Sequence, residues 1–319
     1  MIDKNRFLTR LSSQIPVLLD GPMGTELNRR GFDTALPLWS AWALLRSPDA
    51  VREIHIDHLR AGAEVLTTNT FRTHRRSLHK AGYGSRAREL TELAVRLAQE
   101  AIAREPRAGA DTCFVAGSVS PLEDCYSPQL TPRPDELEGE HEEMARHLAE
   151  AGVDLLLVET MPTIREAEAA TRVAVATGRP VLVGFTCDTR GQLVSGESVA
   201  DAAAAIEALG ATALLINCTP SHALHRALKR LAAATRLPIG AYGNVGHSED
   251  EQGWTVTDSL DATGYAERAR GWIETGARLV GCCCGTTPEH LRAVAALISQ
   301  GTFSRRNDRD VHTRRGSVP

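Results

Sequence analysis

Cys282, Cys283 and Cys284 stand in an unbroken run, and a further cysteine, Cys218, lies 65 residues before Cys283. Thiolates are soft anionic ligands, and three of them converging on one point make a tetrahedral zinc site with one position left for substrate. The chain has no CxxC knuckle, so such a site depends on a fold that carries Cys218 and the 282–284 run to the same place. Cys113, Cys125 and Cys187 stand alone and read as small buried apolar side chains. His222, four residues after Cys218, is an alternative ligand, and a clear fourth protein ligand would mark a structural rather than a catalytic site. His55, His58, His74 and His79 read as helix-surface residues outside the site.

Two acidic positions suit a bound cation. The segment LLDGPMGTEL puts Asp20 at a strand end, followed by Gly21, Gly24 and Thr25 before a helix. Such a turn exposes backbone N–H groups that can hold a carboxylate, while Asp20 can hold a cation or simply cap the helix. Glu159 ends the apolar run LLLV, and a carboxylate there must reach water or be paired. A ligand ammonium or a structural Arg would satisfy it equally.

The elements that position these residues repeat along the chain. An amphipathic helical stretch ends at Gly, and a short β-branched and Leu-rich run follows. The copies begin at Ala61, Ala108, Ala151, Thr177, Leu209 and Thr275, and PVLLDG at Pro16 and LPIGAYGN at Leu237 bring the strands to eight. Glycines 152, 178 and 210 are 26 and 32 residues apart, the size of one βα unit. Helix starts are marked by Thr163 with Glu166, Ser198 before Asp201, Thr219 before Pro220, and Thr286 with Pro288 and Glu289. The strand runs are almost wholly apolar, as parallel strands buried on both faces must be.

The fold expected is therefore α/β, a single (β/α)8 TIM-type barrel over residues 1–300, with a doubly wound open sheet as the rival. An Arg-rich disordered tail is expected over 301–319, and the Pro-rich stretch from Ser120 to Glu140 reads as a large loop over one barrel mouth. In a barrel the reactive positions lie where strands end. Here they are Asp20 and Gly21, Thr68 and Asn69, Ser118, Glu159, Asn217 and Cys218, Tyr242 and Asn244, then Cys282 to Cys284.

Composition narrows the class further. Apolar residues make up 42% and charged residues 24%, with 36 basic against 40 acidic side chains, which excludes disordered and collagen-like chains and gives no basic field for nucleic acid. No apolar run reaches the roughly 18–20 residues that span a bilayer, and the N-terminus lacks an apolar signal core, so a cytoplasmic protein without membrane partners is expected. Seven cysteines, an odd number, argue against a disulfide framework.

LLDGPMGTEL, LTTNTF at 66–71, GSVSP at 117–121, LLLVET at 155–160, INCTP at 216–220, YGNVG at 242–246 with Trp254, and GCCCGTTPEHL at 281–291 together resemble the zinc-dependent homocysteine S-methyltransferases. The segments occur in family order and cover most of the chain. The resemblance implies a (β/α)8 barrel with Zn(2+) bound by Cys218, Cys283 and Cys284. It implies that Asp20 and Glu159 hold the amino acid's ammonium, that Thr68 and the Gly21 turn meet its carboxylate, and that Asn217 belongs to the substrate-binding set. The partners implied are small molecules, homocysteine and a methyl donor, and the product is methionine. Two departures stand out: Cys282 occupies a position that is usually Gly in the family, and Gly243 and Val245 stand where Pro and Ser are common.

The donor expected is a sulfonium, S-methylmethionine or S-adenosylmethionine. Quaternary ammonium groups such as betaine are held in aromatic cages, and this chain is only 4% aromatic. Positions that carry aromatic residues in the betaine-using branch are Arg72 and Thr160 here, although Trp39, Trp42 and Tyr126 remain to line the donor side. Alternatives are the same zinc-thiolate chemistry on another thiol or selenol, or a non-catalytic zinc-binding barrel.

Overall fold

The computed structural model describes residues 4–106, 112–249, 253–255 and 260–301. In chain order the strands are β1 (Val17–Leu18), β2 (Val65–Thr67), β3 (Phe114–Val119), β4 (Leu155–Met161), β5 (Val181–Phe185), β6 (Ala213–Pro220), β7 (Ile239–Asn244), β8 (His247–Glu249), β9 (Gly253–Thr255) and β10 (Ala277–Cys282). Eight of them form one sheet in the order β1-β10-β7-β6-β5-β4-β3-β2, all pairs parallel. A parallel bridge between Leu19 and Val65 joins the two ends of that sheet, which makes it a barrel and removes the doubly wound alternative. Helices follow the strands, so the chain is a (β/α)8 barrel. The remaining two strands, β8 and β9, pair antiparallel as a small excursion after β7.

The helix–glycine–strand phrase works as its chemistry requires. Gly152 and Gly210 both end helices at φ 89°, a left-handed conformation that costs glycine nothing and lets the chain turn straight into the next strand. Thr163 and Ser198 cap their helices by accepting from the backbone N–H groups of Glu166 and of Ala200 and Asp201. The other two helix-start expectations need correction. Strand β6 runs on through Thr219 to Pro220, so the Thr219 hydroxyl serves the barrel by accepting from the Cys187 N–H at 2.9 Å. The cap of the final helix, Pro288–Gln300, is Thr287, while Thr286 turns inward and donates to the Cys283 carbonyl. The loop after β3 is also shorter than expected, because Pro134 starts a helix that runs to Ala151.

Two apolar layers hold the barrel. Phe7, Leu11, Val17, Leu19, Val65, Phe114, Ala116, Leu155, Leu157, Leu182, Ala213, Leu215 and Leu279 fill its interior. The outer faces of the strands, among them Leu156, Val158, Leu214, Ile216 and Val280, pack against the helices. The helix Lys4–Ser12 closes the end at which the strands begin, with Phe7 edge-on to Phe114 at 5.3 Å between centroids. The opposite end is left for the strand-end residues. Among the described residues no helix is long and apolar enough to cross a membrane. Apart from Gly301, the expected tail lies outside the described residues.

Phe7 is 1% exposed at the barrel floor, so Phe7→Ala should cost about 3–5 kcal/mol in a denaturant titration. A loss below about 1 kcal/mol would show that the helix does not close the barrel.

Candidate active site

Side chains alternate across a strand, and this period delivers the reactive groups. On β4, Leu155 and Leu157 point into the barrel, and Glu159 is next on the same face at the strand's far end. Ser118 follows Phe114 and Ala116 in the same way on β3, and Asn217 follows Ala213 and Leu215 on β6. On β10, Leu279 faces inward and Val280 and Cys282 face the helices, so the next inward position after Gly281 is Cys283. Cys282 is thereby removed from the mouth. It lies 4% exposed in the outer core, and burial pushes its thiol up to about 12.

The sulfur atoms of Cys218, Cys283 and Cys284 lie within 4.8 Å of one another. A tetrahedral zinc with bonds of about 2.3 Å needs sulfurs about 3.8 Å apart, so small side-chain rotations suffice and the donor set fits the metal. Hydrogen bonds from Cys283 and Cys284 hold the Cys218 thiol well below the usual cysteine range, as expected of thiols that share an ionised sulfur. His222 is exposed on the helix Ser221–Ala234 and is not in this group. Cys113 and Cys187 are buried elsewhere, as small apolar residues would be, whereas Cys125 is buried close enough to Cys218 and Cys284 for like charge to be felt between the sulfurs.

Cys218 reaches the cluster through strained backbone. Its φ is 48°, and Thr160, across the mouth on β4, has φ 63°. Asn217 holds this pair in place: its Oδ1 accepts from the Thr160 N–H at 3.0 Å and its Nδ2 donates to Thr160 Oγ1 at 2.8 Å. The amide lies flat against β5 because residue 184 is Gly, where a Cβ would come within 2.5 Å of Asn217 Oδ1. Asn217 thus braces the strand ends with both of its amide atoms. Thr186 donates to the Cys218 carbonyl at 3.2 Å, and the Tyr126 hydroxyl oxygen lies 3.1 Å from the same carbonyl oxygen.

The two carboxylates meet beside this cluster. Glu159 accepts from Ser118 Oγ at 2.6 Å and from the Tyr242 hydroxyl at 2.9 Å. Asp20 accepts from the Thr67 N–H and hydroxyl, each at 2.8 Å. Among the described residues neither carboxylate has a Lys or Arg partner, so the structural-Arg alternative for Glu159 is not realised. Burial raises Asp20 to about 8 and Glu159 to about 7, and Glu159 adds like-charge repulsion to Asp20. Thr68 turns its hydroxyl to Thr70 Oγ1 and the Ser118 N–H, which fixes the turn after β2. Gly21 sits above His58, whose Nε2 a Cβ at that position would approach to 2.9 Å.

Three histidines depart from expectation. His55, His58 and His74 are buried rather than on a helix surface, because the helices that carry them pack inside the segment between β1 and β3. Burial holds His55 and His58 down to about 3, so both rings are neutral. They lie near Asp20, but neither ring has a partner for its remaining nitrogen, an orientation that metal-ligating imidazoles normally require. Ser118 and Tyr242 carry no assigned role in the sequence reading. The two-residue period from Ala116 and Gly240 would have placed both beside Glu159.

The fold and site define a barrel that gathers three thiols and two unpaired carboxylates at one mouth. The homocysteine S-methyltransferase family model matches residues 17–298. Homocysteine S-methyltransferase YbgG of Bacillus subtilis is 33% identical over 88% of this chain and 93% of its own length. The selenocysteine methyltransferase of Astragalus bisulcatus is 30% identical over 90% of this chain and 94% of its own. The metallated form of the Escherichia coli homocysteine methyltransferase MmuM superposes with a TM-score of 0.79 at 31% identity, covering 92% of this chain and 99% of that one. The chain belongs to the homocysteine S-methyltransferase family and is a methyltransferase.

Asp20 gives a pH test. A carboxyl whose folded pKa lies above its unfolded value destabilises the fold increasingly as pH rises through that window. Without substrate, stability should therefore fall between about pH 4 and 8, and Asp20→Asn should recover on the order of a few kcal/mol at pH 8 relative to pH 5. Denaturant midpoints at the two pH values check this, and an unchanged pH dependence in Asp20→Asn would contradict it.

Proposed function

We propose that the protein transfers a methyl group from a sulfonium donor, S-methylmethionine or S-adenosylmethionine, to the thiol of homocysteine, giving methionine. Cys218, Cys283 and Cys284 would hold zinc. The observation that carries this reading is the placement of three clustered sulfurs beside two carboxylates that lack a protein cation. An α-amino acid with a thiol side chain has complementary ends for both.

The residues divide the task. Asp20 and Glu159 accept the substrate ammonium, which replaces the protons that burial otherwise keeps on them. Ser118 and Tyr242 fix the Glu159 carboxylate in one orientation, and Thr67 does the same for Asp20. The Gly21 turn and Thr68 form the wall for the substrate carboxylate. Zinc bound by three thiolates would keep the homocysteine sulfur deprotonated at neutral pH, where a free thiol of pKa ~8.5 is mostly protonated. The protein then aligns that sulfur with the methyl carbon of the donor. One carbon–sulfur bond forms as the sulfonium carbon–sulfur bond breaks, and the donor leaves as a neutral thioether. Charge disappears in this step, so a mouth built from buried groups favours it.

The donor assignment follows from what surrounds the mouth. Arg72 lies over the Phe71 ring and donates to the Glu123 carbonyl, and Thr160 is bonded to Asn217, so neither position offers a cage wall. Trp42 packs against Arg46 and Tyr83, and Trp39 covers Gly24. Tyr126 and Tyr242 are the aromatic groups at the sulfur and carboxylate sites. A selenol acceptor is the second reading, supported by the relative named as a selenocysteine methyltransferase.

Three experiments test this. The purified protein should carry about one zinc per chain, lost in Cys218→Ala, Cys283→Ala and Cys284→Ala but kept in Cys282→Ala. With homocysteine, methionine should form faster from S-methylmethionine than from betaine, and the reverse order would overturn the donor assignment. Glu159→Gln should weaken homocysteine binding roughly ten- to hundredfold by calorimetry while zinc stays bound. Unchanged affinity would remove Glu159 from the ammonium site.

A further inference from the structure

One group touches the sulfur cluster from outside the barrel strands. Tyr126 lies on the loop between β3 and the helix Pro134–Ala151, and its hydroxyl oxygen is 3.1 Å from Cys218 Sγ and 3.1 Å from the Cys218 carbonyl oxygen. Asn244 Nδ2 donates to the same phenol oxygen at 3.3 Å. That contact uses an acceptor site of the phenol, so its single hydrogen points at Cys218. The carbonyl already accepts from Thr186, and a sulfur that is a thiolate when it holds a metal is the stronger acceptor of the two. Tyr126 is 38% exposed overall, so its ring spans from solvent to the cluster.

A loop residue holds such a position only if the loop is fixed, and here one buried carboxylate fixes it. Glu166, 1% exposed on the helix Ile164–Ala176, accepts from the Leu122 N–H at 2.8 Å and from Thr131 Oγ1 at 3.4 Å. These two contacts lie on either side of Tyr126. His141 Nε2 lies 3.3 Å from the same carboxylate, and Arg165 donates to the Thr131 carbonyl at 3.0 Å. The loop is thus closed at its base, and its apex reaches over to β6.

The geometry points to Tyr126 as a positioning residue of the thiolate centre, donating to Cys218 Sγ from a loop that Glu166 clasps at both ends. This rests on the metal-thiolate reading of the cluster given above. A hydrogen bond to a ligating sulfur draws charge away from it, and such contacts tune both metal and bound ligand. With Tyr126 in place Cys218 donates less charge, and an incoming thiolate is held more strongly at neutral pH. Without it the incoming thiolate is held less strongly but keeps more of its own charge.

The test uses the full-length protein loaded with cobalt(II) in place of zinc. Tyr126→Phe keeps the ring and removes the hydroxyl. The sulfur-to-cobalt charge-transfer band should move to lower energy, and homocysteine affinity at pH 7 should fall about tenfold. The kcat should hold or rise while KM for homocysteine rises, a split that loss of structure would not produce. Glu166→Gln should give a weaker shift in the same direction, and the double variant should go no further than Tyr126→Phe alone. A band unmoved in Tyr126→Phe would overturn the proposal, and additive effects of the two substitutions would overturn the clasp. A parent protein with no sulfur-to-cobalt band at all would instead remove the thiolate centre on which the proposal stands.

Discussion

Acidic groups gathered in a buried mouth, without a protein cation paired to them among the described residues, are the constraint on which the rest of this molecule depends. Three sulfurs sit within 4.8 Å of one another, and among the described residues two carboxylates beside them have only hydroxyl and amide donors as direct hydrogen-bond partners. Burying such groups ionised is costly, so in the free protein protons stay on Asp20 and Glu159 well above the usual carboxylate range. On the function proposed above, the site gains its stabilisation from what would bind: a metal ion for the sulfurs and an ammonium for the carboxylates. A structure that paired Glu159 with an arginine would be more stable when empty and useless to an amino-acid substrate.

Holding that arrangement requires a frame that does not yield. The closed parallel barrel supplies it, with apolar layers on both faces of the strands. Against that frame the strand ends of β4 and β6 can be kept in left-handed conformations at Thr160 and Cys218. Asn217 ties the two together, and Gly184 leaves room for its amide. The backbone distortion that brings Cys218 to the cluster is thus maintained by neighbours on the adjacent strands.

Much of this was legible in the sequence because the barrel repeats its own grammar. Each helix–glycine–strand phrase marks one unit, and the polar residue that ends an apolar strand marks the mouth. The choice of Cys283 over Cys282 stayed open in the residues themselves and came only with the family resemblance; in the structure Leu279 faces inward and Cys282 outward, which leaves the next inward position after β10 to Cys283. What could not be read depends on contacts between distant segments. His55 and His58 have the spacing of surface residues, yet another part of the chain covers them. Tyr126 meets Cys218 across 92 residues through a loop whose shape is set by Glu166, and no local pattern announces either partner. Thr286 and Thr287 are equivalent candidates for a cap until the Cys283 carbonyl takes one of them.

In the proposed reaction, homocysteine sulfur would join the three cysteine sulfurs at a single zinc ion. X-ray absorption at the zinc edge measures this directly on the zinc-loaded protein, before and after homocysteine is added. Three sulfur neighbours and one lighter atom are expected at first, and four sulfurs at about 2.3 Å once homocysteine is bound. A zinc shell that gains no sulfur on saturation with homocysteine would contradict it.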